Sequence, residues 1–374
     1  MSQQKPYKVI ISGGGTGGHI YPAIAIANAL LEKNSSTELL FVGAQDRMEM
    51  QKVPAAGFKI EGLWISGIQR RLTSDNLLFP VKVVSSVLKA RTILKRFNAD
   101  IAIGVGGYAS WPLLFAANLS GIPTLIQEQN SYAGVTNKFL AKKAKKICVA
   151  YPDMDKFFPA DKIKVTGNPV RKDILEVASK REEAFRFFEL DPNKKTILIV
   201  GGSLGARTIN ESIVGGIDAF AKENVQLIWQ TGKGFYEKAK AAATPFAATV
   251  KVLDFISTMD LAYAAADVVI SRAGALSISE LCLVKKPAVL VPSPNVAEDH
   301  QTKNAMALVS REAAAIIKDS DARKTLVEEA LILLKDSTRQ ELYKMNIASL
   351  AKPNAAKEIA EAVIQTIEQN RTSK

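Results

Sequence analysis

The sequence predicts an α/β protein built from two Rossmann-like, doubly wound domains that face each other across a cleft. Three observations carry this. Short apolar runs of the parallel-strand kind alternate with helical segments along most of the 374 residues. Three strand ends run into glycine-rich turns, at Gly13–Gly18, Gly104–Gly107 and Gly201–Gly205. The whole pattern then restarts after Gly167-Asn168-Pro169, so the second half repeats the grammar of the first. A chain of this length can bury two separate cores. The expected division is 1–166 for the first domain and 167–353 for the second, with a last helix in 354–374 crossing back to the first.

In chain order, YKVIIS is the first strand, followed by GGGTGGH and a helix, PAIAIANALLEK, begun by Pro22. Ala and Ile cover most of that helix, which predicts deep burial. LLFVG is the second strand. DIAIGVGGY reads as a strand and glycine turn, and PTLIQEQN as a strand ending in a polar turn. KKICVA and KIKVTGNPVR close the first half. In the second half REEAFRFFEL is helical, and TILIVGGSLGARTINESIVGGIDAF repeats strand, glycine turn and helix, with Ile209, Ile213, Ile217 and Phe220 on one face. VQLIWQTG, TVKVLDFI, DVVISRAG and PAVLVP supply the remaining strands. EIAEAVIQTIEQ is the candidate crossing helix, its apolar face being Ile359, Val363 and Ile367. Ligands in such sheets gather at the carboxyl ends of the strands, so the glycine turns are expected to line the cleft.

The composition narrows the partners. A net charge of +12 favours phosphorylated small molecules, nucleic acid or an anionic membrane surface. Aromatic residues make up 7% and are not interleaved with the basic ones, which argues against stacking platforms for single strands, and no nucleic-acid partner is expected. Cys148 and Cys282 lie in apolar surroundings without metal-ligand spacing, as core residues in a reducing cytoplasm do. The N-terminus carries no hydrophobic signal region, and no run of 18 apolar residues occurs. The expected location is the cytoplasm, or a membrane surface approached from that side.

The stretch Ser271–Gln301 organises the chemistry. After the strand DVVIS, a helix opens at Ala275-Leu276-Ser277, and its amides and positive dipole end suit a phosphate. Glu280, one turn on, is spaced to accept hydrogen bonds from two sugar hydroxyls. A plain βαβ unit with a solvated helix gives the same pattern. The first glycine turn contains a G-x-G-x-x-G, and with Asp46 after the second strand it can be read as a dinucleotide fingerprint. Five glycines in six positions exceed what that fingerprint needs, however, and the turn ends on His19, one of two histidines in the chain. There a helix N-terminus favours the neutral imidazole. Gln127-Glu128-Gln129-Asn130 places four polar groups at one strand end, more than stability asks for. Arg171 can pair with a pyrophosphate or stand as a solvated arginine. Leu77, Leu78 and Phe79, followed by Lys82, Lys89 and Arg91, form either a core helix with a charged outer face or an interfacial patch for anionic lipid. The lysines at 142, 143, 145 and 146 add to the second reading.

Taken together, GGTGGHIYPA, GVGGYAS, QEQN, GNPVR, GGSLGAR, SRAGALSISEL and AEDHQTKNA resemble the MurG family of peptidoglycan N-acetylglucosaminyltransferases, in matching order from about Val9 to about Ala305. The resemblance implies the GT-B fold. It also implies inverting transfer of GlcNAc from UDP-GlcNAc to the C4 hydroxyl of MurNAc in lipid I (undecaprenyl-pyrophosphoryl-MurNAc-pentapeptide), giving lipid II. By this likeness the second domain holds the donor. Ile256 meets uracil through its backbone, Glu280 the ribose and Gln301 the GlcNAc hydroxyls. The helix start Ala275, Leu276, Ser277, Ile278 and Ser279, with Ser203 and Arg171, holds the pyrophosphate. Thr16, Gly17, Gly18 and Asn130 complete the donor site, and the acceptor lies against Gly106, Gly107 and Tyr108. His19 is the first choice of general base and Glu128 the second, as a base, a partner of His19 or an acceptor-positioning group. Amides and Arg171 can take the charge of the leaving group without a metal, and no cofactor is expected. A lipid-borne acceptor favours the interfacial patch, an anionic inner-leaflet partner and a peripheral location on the cytoplasmic face of the inner membrane. The alternatives are a UDP-sugar 2-epimerase of the same fold, an NAD-dependent dehydrogenase resting on Asp46, and a basic nucleic-acid-binding protein.

Overall fold

The computed structural model describes residues 6–66 and 78–372 and contains two compact units, Met1–Arg171 with Asn354–Lys374, and Lys172–Pro353. The boundary thus falls after Arg171, where the sequence suggested 166. The Gly-Asn-Pro segment stays with the first unit because Thr166 N and Gly167 N both donate to Val149 O, at 3.0 and 3.2 Å. Asn168 is in turn held by the side chain of Gln127 and the carbonyl of Gln129.

The first unit is a seven-stranded parallel sheet. Its strands are β1 (Lys8–Gly13), β2 (Glu38–Ala44), β3 (Ile60–Leu63), β4 (Ile101–Gly106), β5 (Thr124–Glu128), β6 (Lys146–Val149) and β7 (Ile163–Val165), ordered β3-β2-β1-β4-β5-β6-β7. The helices are α1 (Gly17–Lys33), α2 (Glu49–Ala55), α3 (Phe79–Phe97), α4 (Ser110–Leu119) and α5 (Val135–Ala141). Both faces of the sheet are covered, which is why its strands read as continuous apolar runs. Alternate residues of β1 serve two cores: Val9 and Ile11 join Ile20, Ile26 and Leu30 of α1, while Ile10 joins Ile93 and Leu94 of α3. Helix α1 starts at Gly17 rather than at Pro22. Pro22 lies inside it, removing the N–H that would otherwise bond the Gly18 carbonyl.

The second unit repeats the plan in six parallel strands. These are β8 (Thr196–Val200), β9 (Gln226–Gln230), β10 (Val250–Leu253), β11 (Val268–Ser271), β12 (Ala288–Leu290) and β13 (Ala315–Ile316), ordered β10-β9-β8-β11-β12-β13. Around them lie α6 (Arg181–Phe188), α7 (Arg207–Lys222), α8 (Tyr236–Ala243), α9 (Met259–Ala265), α10 (Ala275–Val284), α11 (His300–Val309), α12 (Ala322–Lys335) and α13 (Ser337–Ser349). Ile209, Ile213, Ile217 and Phe220 of α7 are all buried in one core with Trp229 of β9. The last helix, α14 (Ala355–Thr372), belongs to the first unit. Its Ile359, Val363 and Ile367 pack with α1, and Lys33–Glu361 and Arg371–Asp100 ion pairs at 2.7 and 2.8 Å edge that contact. In each sheet the direction of winding reverses beside the first strand, between β1 and β4 and between β8 and β11. Such reversals leave a crevice at the carboxyl ends of the two strands, and the glycine turns stand there.

Both cysteines are free and buried, Cys148 in β6 and Cys282 in α10. Burial pushes each thiol up to about 12, so at pH 8 only about one in 10⁴ is thiolate. Neither cysteine should react with iodoacetamide at pH 8 in the native protein, and both should react once denaturant is added. Mass spectrometry after a short labelling pulse checks this, and fast native labelling of either would contradict the packing.

Candidate active site

At the first reversal two glycine turns touch. Gly14 N donates to Gly106 O at 3.3 Å, and a Cβ on Gly107, whose φ is +89°, would lie 2.3 Å from Gly14 O. Only glycine permits that approach. Thr16 precedes the first turn of α1 in extended conformation, its carbonyl accepting from His19 N and Ile20 N at 3.1 and 3.2 Å. The amides of Gly17 and Gly18 therefore stand at the positive end of α1, in its first turn. His19 is half-buried over Gly106, where a Cβ would come within 2.6 Å of the imidazole. Its Nδ1 lies 3.0 Å from Gly14 O and 3.3 Å from Thr16 Oγ1. A carbonyl can only accept, so Nδ1 carries the proton, and whenever the ring is neutral Nε2 is its basic nitrogen. Tyr108 is 52% exposed beside the same turns. Arg171, half-buried, stacks over the ring of Tyr21 in α1 at 5.8 Å, so it is not merely a solvated arginine.

The QEQN cluster has a different use from the one its polarity suggested. Gln127 and Gln129 are fully and nearly fully buried, and they form an amide chain: Gln129 Nε2 donates to Gln127 Oε1 and to Val105 O, both at 2.6 Å, and Gln127 Nε2 to Asn168 Oδ1 at 3.0 Å. That chain ties the ends of β4 and β5 to the Gly-Asn-Pro segment. Glu128 is 2% exposed, and its two oxygens accept from Asn130 N at 3.0 Å, Gly134 N at 3.0 Å and Asn137 Nδ2 at 2.8 Å. Its carboxylate organises the 130–137 turn, which sets the position of Asn130.

In the second unit a helix opens at Ala275, as the sequence suggested. Gly274 in extended conformation leads into α10, and Ala275, Leu276 and Ser277 at its start are half-buried. Ile278 is 2% exposed and its side chain belongs to the core, while Ser279 Oγ donates back to Ala275 O at 3.0 Å. Glu280 accepts from Tyr263 OH at 3.0 Å, which orients the carboxylate. Gln301 accepts from Ser293 N at 2.9 Å. Ser203 is exposed at the tip of the turn after β8.

Four side chains to which the sequence reading assigned no role hold the surrounding groups in place. Gln230, 3% exposed, accepts from Ile256 N at 2.8 Å and donates to Gly202 O at 2.9 Å, so one amide ties Ile256 to the glycine turn that carries Ser203. Tyr263 orients Glu280. Arg272 Nη1 clamps Val291 O, Pro292 O and Asp319 at 3.0, 3.1 and 2.5 Å. Glu49, 0% exposed, accepts from Gly15 N at 2.9 Å and Ala44 N at 3.0 Å. A single acid in the first turn of α2 was its only signal. Asp46, the acid offered for a dinucleotide, is exposed. Among the described residues no group of three or more His, Cys, Asp or Glu side chains is placed to hold a metal ion.

The patch on α3 differs from expectation. Leu77 lies outside the described residues, and Phe79 turns inward onto the core with Val83 and Val87. Outward instead are Leu78, Val81, Val84 and Leu88, 47 to 60% exposed. Their spacing of three and four makes one helical stripe, flanked by Lys82 and Lys89 on one side and Arg91 on the other. No helix among the described residues is long and apolar enough to cross a membrane.

Residues 9–149 match the glycosyltransferase family 28 N-terminal domain, and residues 196–363 match its C-terminal domain. The chain is 59% identical to a protein of Cytophaga hutchinsonii over 99% of this chain and all of that one. It is 58% identical to one of Parabacteroides distasonis over 97% and 99%. Both bear the name UDP-N-acetylglucosamine–N-acetylmuramyl-(pentapeptide) pyrophosphoryl-undecaprenol N-acetylglucosamine transferase. Among solved structures, MurG of Acinetobacter baumannii superimposes with a TM-score of 0.76 at 30% identity, covering 96% of this chain and 100% of that one. A UDP-GlcNAc 2-epimerase of Neisseria meningitidis gives 0.67 at 15% identity, over 96% and 100%, a likeness of fold alone. Two parallel sheets wound alike, the paired glycine turns and end-to-end identity all agree: the chain belongs to glycosyltransferase family 28, among the MurG enzymes.

Proposed function

We propose that this chain transfers GlcNAc from UDP-GlcNAc to the C4 hydroxyl of MurNAc in lipid I, with inversion at C1, and so makes lipid II. The observation that carries the reaction is end-to-end identity, at 59 and 58%, with proteins named for it. The roles follow from the family resemblance, and the geometry supports them. In the second unit the first turn of α10, from Ala275 to Ser279, and Ser203 take the pyrophosphate, an anion at a helix N-terminus. Glu280, held by Tyr263, accepts from the ribose, and Gln301 meets the GlcNAc hydroxyls. Ile256 N is engaged by Gln230, which leaves its carbonyl as the uracil contact. In the first unit His19 acts through Nε2. It takes the proton of the C4 hydroxyl as that oxygen bonds to C1, while the C1–O bond breaks and its electron pair leaves with UDP. Preorganised amides then stabilise the charge that grows on the leaving phosphate. Glu128 acts as a positioning group through the 130–137 turn, since both its oxygens are committed to that turn.

The acceptor carries a polyprenyl chain, so the enzyme meets it at a membrane. The reading of a peripheral protein on the cytoplasmic face of the inner membrane is supported by the stripe Leu78, Val81, Val84 and Leu88 between basic residues. The net charge of +12 supports the same surface.

Labelled UDP-GlcNAc supplied with lipid I should pass its label to the lipid fraction. Given alone, UDP-GlcNAc should come back unchanged, whereas UDP-ManNAc in that control would favour the epimerase reading. His19→Ala should keep UDP-GlcNAc binding by calorimetry and lose about 10²-fold or more in kcat, the scale of general-base catalysis; turnover at the wild-type rate removes His19 from the mechanism. Replacing Val81, Val84 and Leu88 with Ser should leave the melting temperature in place, because these side chains are already exposed, and reduce flotation with anionic liposomes. Undiminished flotation returns the stripe to an ordinary surface.

A further inference from the structure

We propose that Glu49 is a positioning residue for the transfer, acting on His19 through the single peptide group between Gly14 and Gly15. The inference rests on the assignment of His19 as the base. That peptide uses both of its polar atoms. Its N–H, on Gly15, donates to Glu49 Oε2 at 2.9 Å, and its carbonyl, on Gly14, accepts from Nδ1 of His19 at 3.0 Å. Carboxylate, amide and imidazole therefore form one chain of hydrogen bonds. Bonds in series polarise one another, so a carboxylate on the N–H makes the carbonyl oxygen a stronger acceptor for the Nδ1 proton. An imidazole oriented by an anion at Nδ1 is the usual way to present Nε2 as a base and to stabilise the imidazolium it becomes. Here a peptide group stands between the two.

The fold is built around this carboxylate. Glu49 is 0% exposed, and its other oxygen takes Ala44 N at 3.0 Å, where β2 ends. A Cβ on Gly14 would lie 2.2 Å from Glu49 Oε1, and one on Gly43 would lie 2.6 Å from its Cγ. Two glycines on two strand ends are thus emptied of side chain to admit one acid. A buried carboxylate is costly unless hydrogen-bonded, and for anchoring a turn a neutral side chain would serve at lower cost. The charge has a use if it reaches the histidine.

The test is Glu49→Gln in the full chain, a change of one atom that removes the charge and leaves one acceptor oxygen for two N–H donors. The expected result is a kcat about 10- to 100-fold lower, the size of one hydrogen bond to a charged group, with KM for UDP-GlcNAc unchanged. The double variant Glu49→Gln/His19→Ala should be no slower than His19→Ala alone, because the first acts only through the second. The chain has two histidines, so ¹⁵N-imidazole spectra are assignable with a His300→Gln variant. Wild type should show His19 protonated at Nδ1, and Glu49→Gln a mixture of tautomers. Wild-type kcat in Glu49→Gln overturns the proposal, as does a loss that multiplies with that of His19→Ala. If His19→Ala itself turns over normally, the base assignment fails, and the spectra still decide the relay: an unchanged tautomer in Glu49→Gln sinks it. Should Glu49→Gln not fold, the wild-type spectrum decides, since a proton on Nε2 excludes the chain of bonds.

Discussion

The site in the first unit depends on one close approach of backbone to backbone. At the end of β1, Gly14 donates to Gly106 at the end of β4, and Gly107 lies against the Gly14 carbonyl where no side chain fits. Parallel strands on either side of a winding reversal bring two turns together with no helix between them. What can occupy that space is settled by the absence of Cβ atoms. Backbone groups then serve as ligands and as supports: the Gly14 carbonyl holds a histidine, and the Gly15 amide meets a buried acid.

The second unit solves a related problem with a side chain. Its turn after β8 is also tight, Gly205 lying where a Cβ would reach 1.9 Å from Thr231 O. The distance to the next strand end is spanned by the amide of Gln230, which offers oxygen to Ile256 N and nitrogen to Gly202 O. An amide can do both at once because its two ends differ, and each partner dictates one orientation. Tyr263 and Arg272 likewise spend polar groups on holding other groups still. Groups held this way are preset, which lowers the ordering cost for a ligand that meets them. That two enzymes of different chemistry share this fold, a transferase and an epimerase, fits a scaffold on which the sites and not the sheets choose the reaction.

On α3 the same economy appears at the surface. The helix spends Phe79, Val83 and Val87 on the core and turns Val81, Val84 and Leu88 outward between basic side chains. A soluble helix with one buried stripe has no need of a second apolar one. The outward stripe is the feature that supports the lipid-facing surface proposed above.

What the sequence by itself determined is whatever depends on neighbours along the chain. Apolar runs and their alternation mark strands and helix faces, so the two sheets, the α7 face Ile209–Phe220 and the α14 face Ile359–Ile367 are legible as written. Glycine turns mark where a side chain is forbidden, and the helix start at Ala275 is legible after Gly274. Tertiary structure alone decided where single polar side chains point. Gln127 and Gln129 read only as members of a polar cluster and proved to be internal ties, Phe79 read as lipid-facing and turned inward, and Glu49, Gln230 and Tyr263 were given no role. The physical reason is that periodicity reports which face of an element is buried. A hydrogen bond is made to a particular atom, often tens of residues away, and its partner exists only once the sheet has brought the strand ends together.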